Sequence, residues 1–144
     1  MFDAITAEAE SADIVIKAAA VADYTPLTTA ENKIKKSDGD MRIDLKRTRD
    51  IIGTLGANKR QGQFLCGFSM ETENMLENSR KKLTKKNLDM VVANNVKDAG
   101  AGFQGNTNLI TIITADSVTE LPLMDKEEAA HAILDRIQEM RKEG

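Results

Sequence analysis

Asp13-Ile14-Val15-Ile16-Lys17-Ala18-Ala19-Ala20 is the run on which the fold turns. It is short, almost wholly apolar, and opens with β-branched residues. Runs of this kind mark strands covered on both faces, which is the habit of parallel sheets. The pattern returns three times downstream: Gln63–Ser69, Leu88–Ala93 and Asn108–Thr114. Between and around these runs lie helical periods. Phe2–Ser11 places Phe2, Ile5 and Ala9 on one stripe, and Glu71–Lys86 does the same with Met75, Leu76, Ser79 and Leu83. Lys126–Arg141 spaces Ala130, Ile133, Leu134, Ile137 and Met140 as a core face, with Asp125 and Glu128 placed for a capping box. Strands alternating with helices of this length predict right-handed crossovers and an α/β fold. The expected architecture is a three-layer, mostly parallel sheet with helices on both faces.

Two stretches break that rhythm. Ala22–Asp50 lacks helical periodicity and holds Pro26, the cluster Lys33, Lys35 and Lys36, and the turn Ser37-Asp38-Gly39-Asp40. The alternation in Met41–Leu45 then predicts a hairpin leaving the main body, so residues 22–47 are expected as a protruding flap. Asn94–Thr107 is rich in glycine and asparagine and reads as a loop. The whole, residues 1–144, is expected as one domain.

Composition narrows the function classes. The chain has 144 residues, 41% hydrophobic and 30% charged, enough to bury roughly two-thirds of its unfolded surface without staples. Twenty basic against twenty-three acidic side chains give a net charge of -3, which argues against a general nucleic-acid binder. One cysteine, Cys66, and one histidine, His131, leave no internal disulfide and little for a transition-metal site. Cys66 falls mid-strand and reads as a small buried hydrophobe; His131, beside the last helix's core stripe, reads as structural. No apolar run is long enough for a membrane span, and acidic residues interrupt the N-terminus where a signal peptide would be apolar. The expectation is a cytoplasmic location and no membrane partner.

Four constellations carry possible chemistry. Ala18-Ala19-Ala20-Val21-Ala22-Asp23-Tyr24 follows a strand, where open α/β sheets bind ligands. Its small side chains admit a base or phosphate to the backbone, and Asp23 suits a magnesium ion or a ribose hydroxyl. Equally, the alanines pack beneath a helix and Asp23 opens a turn. Lys33-Ile34-Lys35-Lys36 either neutralises a polyphosphate or is a solvated face. Lys82 and Lys86, four apart at the margin of a helix stripe, either meet a ligand or snorkel, while Arg80 and Lys85 point elsewhere as ordinary surface charges. Phe68, in a strand-to-helix turn, either stacks on a base or fills the core. The Asn94-Asn95 pair and the glycines at 100, 102 and 105 suit a sugar- or phosphate-binding loop, or a plain connection. No G-x-G-x-x-G or Walker sequence occurs. Either the fold is unusual, or the chain is the C-terminal part of a larger domain.

Taken in order, Ala18–Tyr24, Lys33–Lys36, Gly67-Phe68-x-x-Glu71-Thr72, Lys82-x3-Lys86-Asn87-Leu88-Asp89, Ala93-Asn94 and Gly102-Phe103 resemble the phosphopantothenoylcysteine synthetase family. This is the ligase half of the bacterial bifunctional coenzyme A biosynthesis protein. The resemblance implies a Rossmann-like homodimer that joins 4′-phosphopantothenate to L-cysteine with CTP and Mg2+. CTP would activate the carboxylate as an acyl-cytidylate, and the cysteine amine would displace CMP. It further implies nucleotide contacts at Lys17, Ala18, Ala19, Asp23, Lys33, Arg49, Asp50, Ile51, Ile52, Phe68, Lys82 and Lys86. Lys33 would act catalytically from a mobile flap and Asp23 would serve magnesium. The family commonly has proline where this chain has Arg49. The family's glycine-rich N-terminal segment has no match here, so a nucleotide-binding chain that does not complete ligation is the alternative.

Overall fold

The computed structural model describes residues 1–36, 39–71, 74–95 and 106–143. In chain order the elements are α1 (Phe2–Ala9), β1 (Ile14–Lys17), β2 (Tyr24–Pro26), β3 (Leu45–Arg47), α2 (Ile51–Ala57), β4 (Phe64–Glu71) and α3 (Met75–Lys85). They continue with β5 (Met90–Asn95), β6 (Thr107–Asn108), β7 (Ile110–Ile113), β8 (Val118–Glu120), β9 (Met124–Asp125) and α4 (Lys126–Glu143). The central sheet has the order β1-β4-β5-β7-β8. β1, β4 and β5 are mutually parallel, with Ile14 opposite Phe64 and Cys66 opposite Met90. β7 pairs antiparallel with β5, and β8 pairs antiparallel with β7. The α/β class with a mostly parallel sheet therefore holds, with an antiparallel edge.

Strand alternation divides the core in two. Leu65, Val91, Ala93 and Ile113 face α1, α2 and α3, packing on Ala9, Ile51, Ile52, Leu55 and Leu83. Phe64, Cys66, Met90, Val92, Ile110 and Ile112 face α4, against Ala129, Ile133 and Ile137. Helices thus cover both faces.

Several expectations shift. β1 is an edge strand, and Ile14 and Ile16 are each 37% exposed, so it is not covered on both faces. They share a face with Phe64 and Cys66, but α4 packs over β4, β5 and β7 instead. The α4 stripe is Ala129, Ile133 and Ile137 at four-residue spacing; Ala130, Leu134 and His131 are exposed. Leu76 is likewise exposed, because α3 turns Ser79 and Leu83 inward. α3 begins at Met75, after β4 has run on to Glu71 in pairing with β5. The α4 capping box forms as expected: Glu128 N–H donates to Asp125 Oδ1 at 2.7 Å and Asp125 N–H to Glu128 Oε2 at 3.1 Å. The hairpin also forms, but its arms are β2 and β3, with Tyr24 opposite Arg47. Ser37, Asp38, Thr72 and the glycines at 100, 102 and 105 lie outside the described residues.

Buried polar groups tie the layers together. Gln63 donates from Nε2 to the carbonyls of Ala9 (2.7 Å) and Ala12 (2.8 Å), anchoring the end of α1. Asp89 accepts the Leu65 N–H at 2.7 Å on one oxygen and meets Lys59 Nζ at 2.6 Å on the other.

Candidate functional site

The parallel strands β1, β4 and β5 end on one edge of the sheet, and a cleft of about 960 Å³ opens there. That is the edge at which open α/β folds take ligands, and the size falls in the range of small-molecule pockets. Lys17 closes β1 and is followed by Ala18, Ala19, Ala20 and Val21 along the wall. β4 supplies Gly67, Phe68, Ser69 and Met70, and β5 supplies Asn94. Arg49 to Thr54, where α2 begins, line the opposite side, with Lys82, Lys85 and Lys86 from the end of α3.

Local sequence explains this convergence. Asp50 caps α2: its Oδ1 accepts the Gly53 N–H at 3.1 Å, and its carbonyl accepts Thr54. Gly56 lets α2 press against the end of α3; a Cβ there would sit 1.8 Å from the Lys86 carbonyl oxygen. Asn87, at φ 49°, turns the chain after α3, and the Leu88 N–H bonds back to Leu83 O at 2.9 Å. This Schellman closure leaves Lys86 facing α2.

Lys82 and Lys86 are accordingly held inward. Lys82 Nζ donates to the Phe68 carbonyl at 2.6 Å, and Lys86 Nζ lies 3.0 Å from Asp50 Oδ2. Partial burial pushes the Asp50 carboxyl up, but the Lys86 and Gly53 hydrogen bonds and the charges of Lys86 and Lys17 outweigh it. The net result holds Asp50 below the usual carboxylate value. Arg49 is occupied on the outer rim: its guanidinium meets Asp3 Oδ1 at 2.7 Å and stacks 3.9 Å from the centre of the Phe2 ring. This arginine thereby ties α1 to the start of α2 at the cleft's edge. Phe68 is half-buried, packing partly on the α4-side core and partly lining the cleft.

Of the residues expected from sequence, Lys17, Ala18, Ala19, Asp23, Arg49, Asp50, Ile51, Ile52, Phe68, Lys82 and Lys86 come together in this one cleft. Lys33 does not; it is exposed on the connection between β2 and β3 and is not part of the lining. Ser69 and Thr48 also line the cleft, and so does Lys85, which the sequence reading turns away from it; the end of α3 packs close enough to α2 to bring that side chain to the cleft. Asn94 belongs to the asparagine pair and to the Ala93-Asn94 motif singled out in the sequence. It lines the cleft with its Oδ1 accepting from Asn108 Nδ2 at 3.2 Å. Cys66 is buried and its thiol is pushed up to about 12 by burial, with the Asp89 charge adding, so it stays an inert thiol.

Among the described residues no group of three or more His, Cys, Asp or Glu side chains could cage a metal. Asp23 fits the way magnesium is commonly held, through one or two carboxylates together with substrate phosphates. Its exposed carboxylate lines the cleft and has no hydrogen bond or ion pair with other described residues. No described helix is long and apolar enough to cross a membrane.

A family profile for the DNA/pantothenate metabolism flavoprotein C-terminal domain matches residues 1–140. The chain is 46% identical over 144 residues to the coenzyme A biosynthesis bifunctional protein CoaBC of Bacillus subtilis (strain 168), covering 99% of this chain and 35% of that protein. The solved C-terminal domain of a CoaBC superposes with a TM-score of 0.79 at 38% identity, over 99% of this chain and 62% of that one. A Cab2 mutant in complex with phosphopantothenate-cysteine shares the fold, with a TM-score of 0.66 at 17% identity, over 90% of this chain and 44% of that one. The chain thus spans about a third of the full CoaBC relative. With its parallel sheet and its cleft at the strand ends, this chain belongs to the DNA/pantothenate metabolism flavoprotein C-terminal domain family.

Proposed function

We propose that the chain is the nucleotide-handling part of a phosphopantothenate–cysteine ligase acting in coenzyme A biosynthesis, with CTP as cosubstrate. The observation that carries this is convergence. Segments as far apart as Lys17 and Lys86 meet in one cleft, with basic side chains beside a small-residue wall and a half-buried phenylalanine.

In this mechanism the carboxylate of 4′-phosphopantothenate attacks the α-phosphorus of CTP, and pyrophosphate leaves with the electrons of the broken P–O bond. The amine of L-cysteine then attacks the acyl carbon, losing a proton as CMP departs and the amide forms. Ala18 and Ala19 admit the phosphates close to the backbone, and Phe68 offers a ring to the cytosine. Lys17, Lys82 and Lys86 stabilise the negative charge that develops on phosphate oxygens. Mg2+, held by Asp23 together with the triphosphate, would neutralise phosphate charge when bound. Lys33 reaches the reacting groups only if the segment between β2 and β3 closes over the cleft. The exposed apolar side chains of that hairpin (Tyr24, Leu27, Met41, Ile43 and Leu45) suit a homodimer arm, a state that sedimentation equilibrium reads directly.

A second reading has its own support. Lys33 is exposed and is not part of the cleft lining. On that reading the chain binds cytidine nucleotide without completing ligation. Pyrophosphate release with CTP, 4′-phosphopantothenate and L-cysteine separates the two: sustained release supports the ligase, and CTP binding without release supports the second.

A further inference from the structure

Basic charge on α3 exceeds what the nucleotide contacts use. Lys82 and Lys86 turn inward to Phe68 and Asp50. On the adjoining face, Arg80, Lys81, Thr84 and Lys85 line a shallow groove of about 550 Å³. Lys85 also lines the cleft, so the groove and the cleft meet at that side chain. Lys81 is paired with Glu77 at 2.6 Å, whereas Arg80 and Lys85 have no hydrogen bond or ion pair with other described residues.

Helix stability does not account for this arrangement. Lys81 and Lys85 are four apart, a spacing at which like charges oppose a helix. The helix dipole favours Lys85 in the last turn but not Arg80 in the middle. The chain as a whole is acidic, with a net charge of -3, so the positive field is local. Six basic side chains against two carboxylates line the cleft itself. A basic approach beside such a cleft raises the local concentration of an anion and its rate of capture.

We propose that the Arg80–Lys85 face of α3 is a collecting surface that draws a polyphosphate anion to the mouth of the cleft and speeds its association without holding it once bound. This rests on the proposal that the cleft takes a nucleoside triphosphate. The test is stopped-flow association of ribose-labelled CTP with the full chain across a salt series. Arg80→Gln is expected to slow association about two- to threefold at low ionic strength. Glu77→Gln unmasks the Lys81 charge and is expected to speed association. In both variants the dissociation rate stays as in the wild type, and the differences vanish at roughly 0.5 M salt, where screening is nearly complete. Unchanged association rates, or changed dissociation rates, overturn the collecting surface while leaving nucleotide binding in place. Failure of the unsubstituted chain to bind labelled CTP overturns both proposals together.

Discussion

Lys82 and Lys86 show how a four-residue spacing becomes a site. From sequence they were either snorkelling charges or ligand contacts. The structure holds both inward, against the Phe68 carbonyl and the Asp50 carboxylate. Lys82→Met removes a cation from the cleft while keeping the aliphatic stem. It is expected to weaken CTP binding about tenfold, or roughly 1.4 kcal/mol, with the fold intact. Calorimetric titration checks this, and unchanged affinity would return Lys82 to a packing role. Asp50 permits a pH test. Its folded-state pKa lies below the ordinary value, so its contribution to stability is present above about pH 4 and lost as pH falls through the folded value. Asp50→Asn still caps α2 but cannot titrate. The variant should therefore lose less stability on acidification, by under about 1 kcal/mol, since the side chain is 55% exposed and screened by water. Acid titrations of both proteins in urea, followed by circular dichroism, would show it. Parallel curves would contradict the assigned ion pair.

At the scale of elements, what was legible in the sequence was what burial decides. β4 and β5 are continuous apolar runs and fall within two residues of where they were expected. β1 was placed but its open face was not, because exposure there depends on where a distant helix lands. The antiparallel turn of β7 was invisible too, since strand direction is set by the connection and not by the strand's own residues. The start of α3 was read four residues early: Glu71 and Thr72 suit a helix, but β5 pairing extends the strand. Gly56 gave no signal beyond its composition, though the α2–α3 contact depends on it. Gly56→Ala would drive a methyl into the Lys86 carbonyl, and urea unfolding should show a loss of about 2 kcal/mol or more. A neutral result would contradict the close approach. The β2–β3 hairpin makes a different prediction. The described residues of its connecting segment are exposed, carry Lys33, Lys35 and Lys36 close enough to repel one another, and among them show few backbone bonds beyond Leu27 N–H to Asp44 O. Hydrogen exchange over residues 25–39 should be fast in the free protein and slow when CTP is added. Strong protection without ligand would make the hairpin a fixed arm and leave Lys33 a surface charge.

Across the whole molecule, the candidate site was more legible than its surroundings. Of the twelve residues the family resemblance implies, eleven line one cleft at the carboxyl edge of the parallel strands. Lys85, which the sequence alone marks as an ordinary surface charge, gains its place in the cleft only from tertiary packing. Lys33 marks the limit, since its position depends on a segment that the core does not hold. The central claim is that this cleft selects cytidine triphosphate, and isothermal titration of CTP and ATP into the chain with Mg2+ tests it most directly. One CTP per chain is expected, bound at least about tenfold more tightly than ATP. Equal affinity for the two nucleotides, or no binding of CTP, would contradict it.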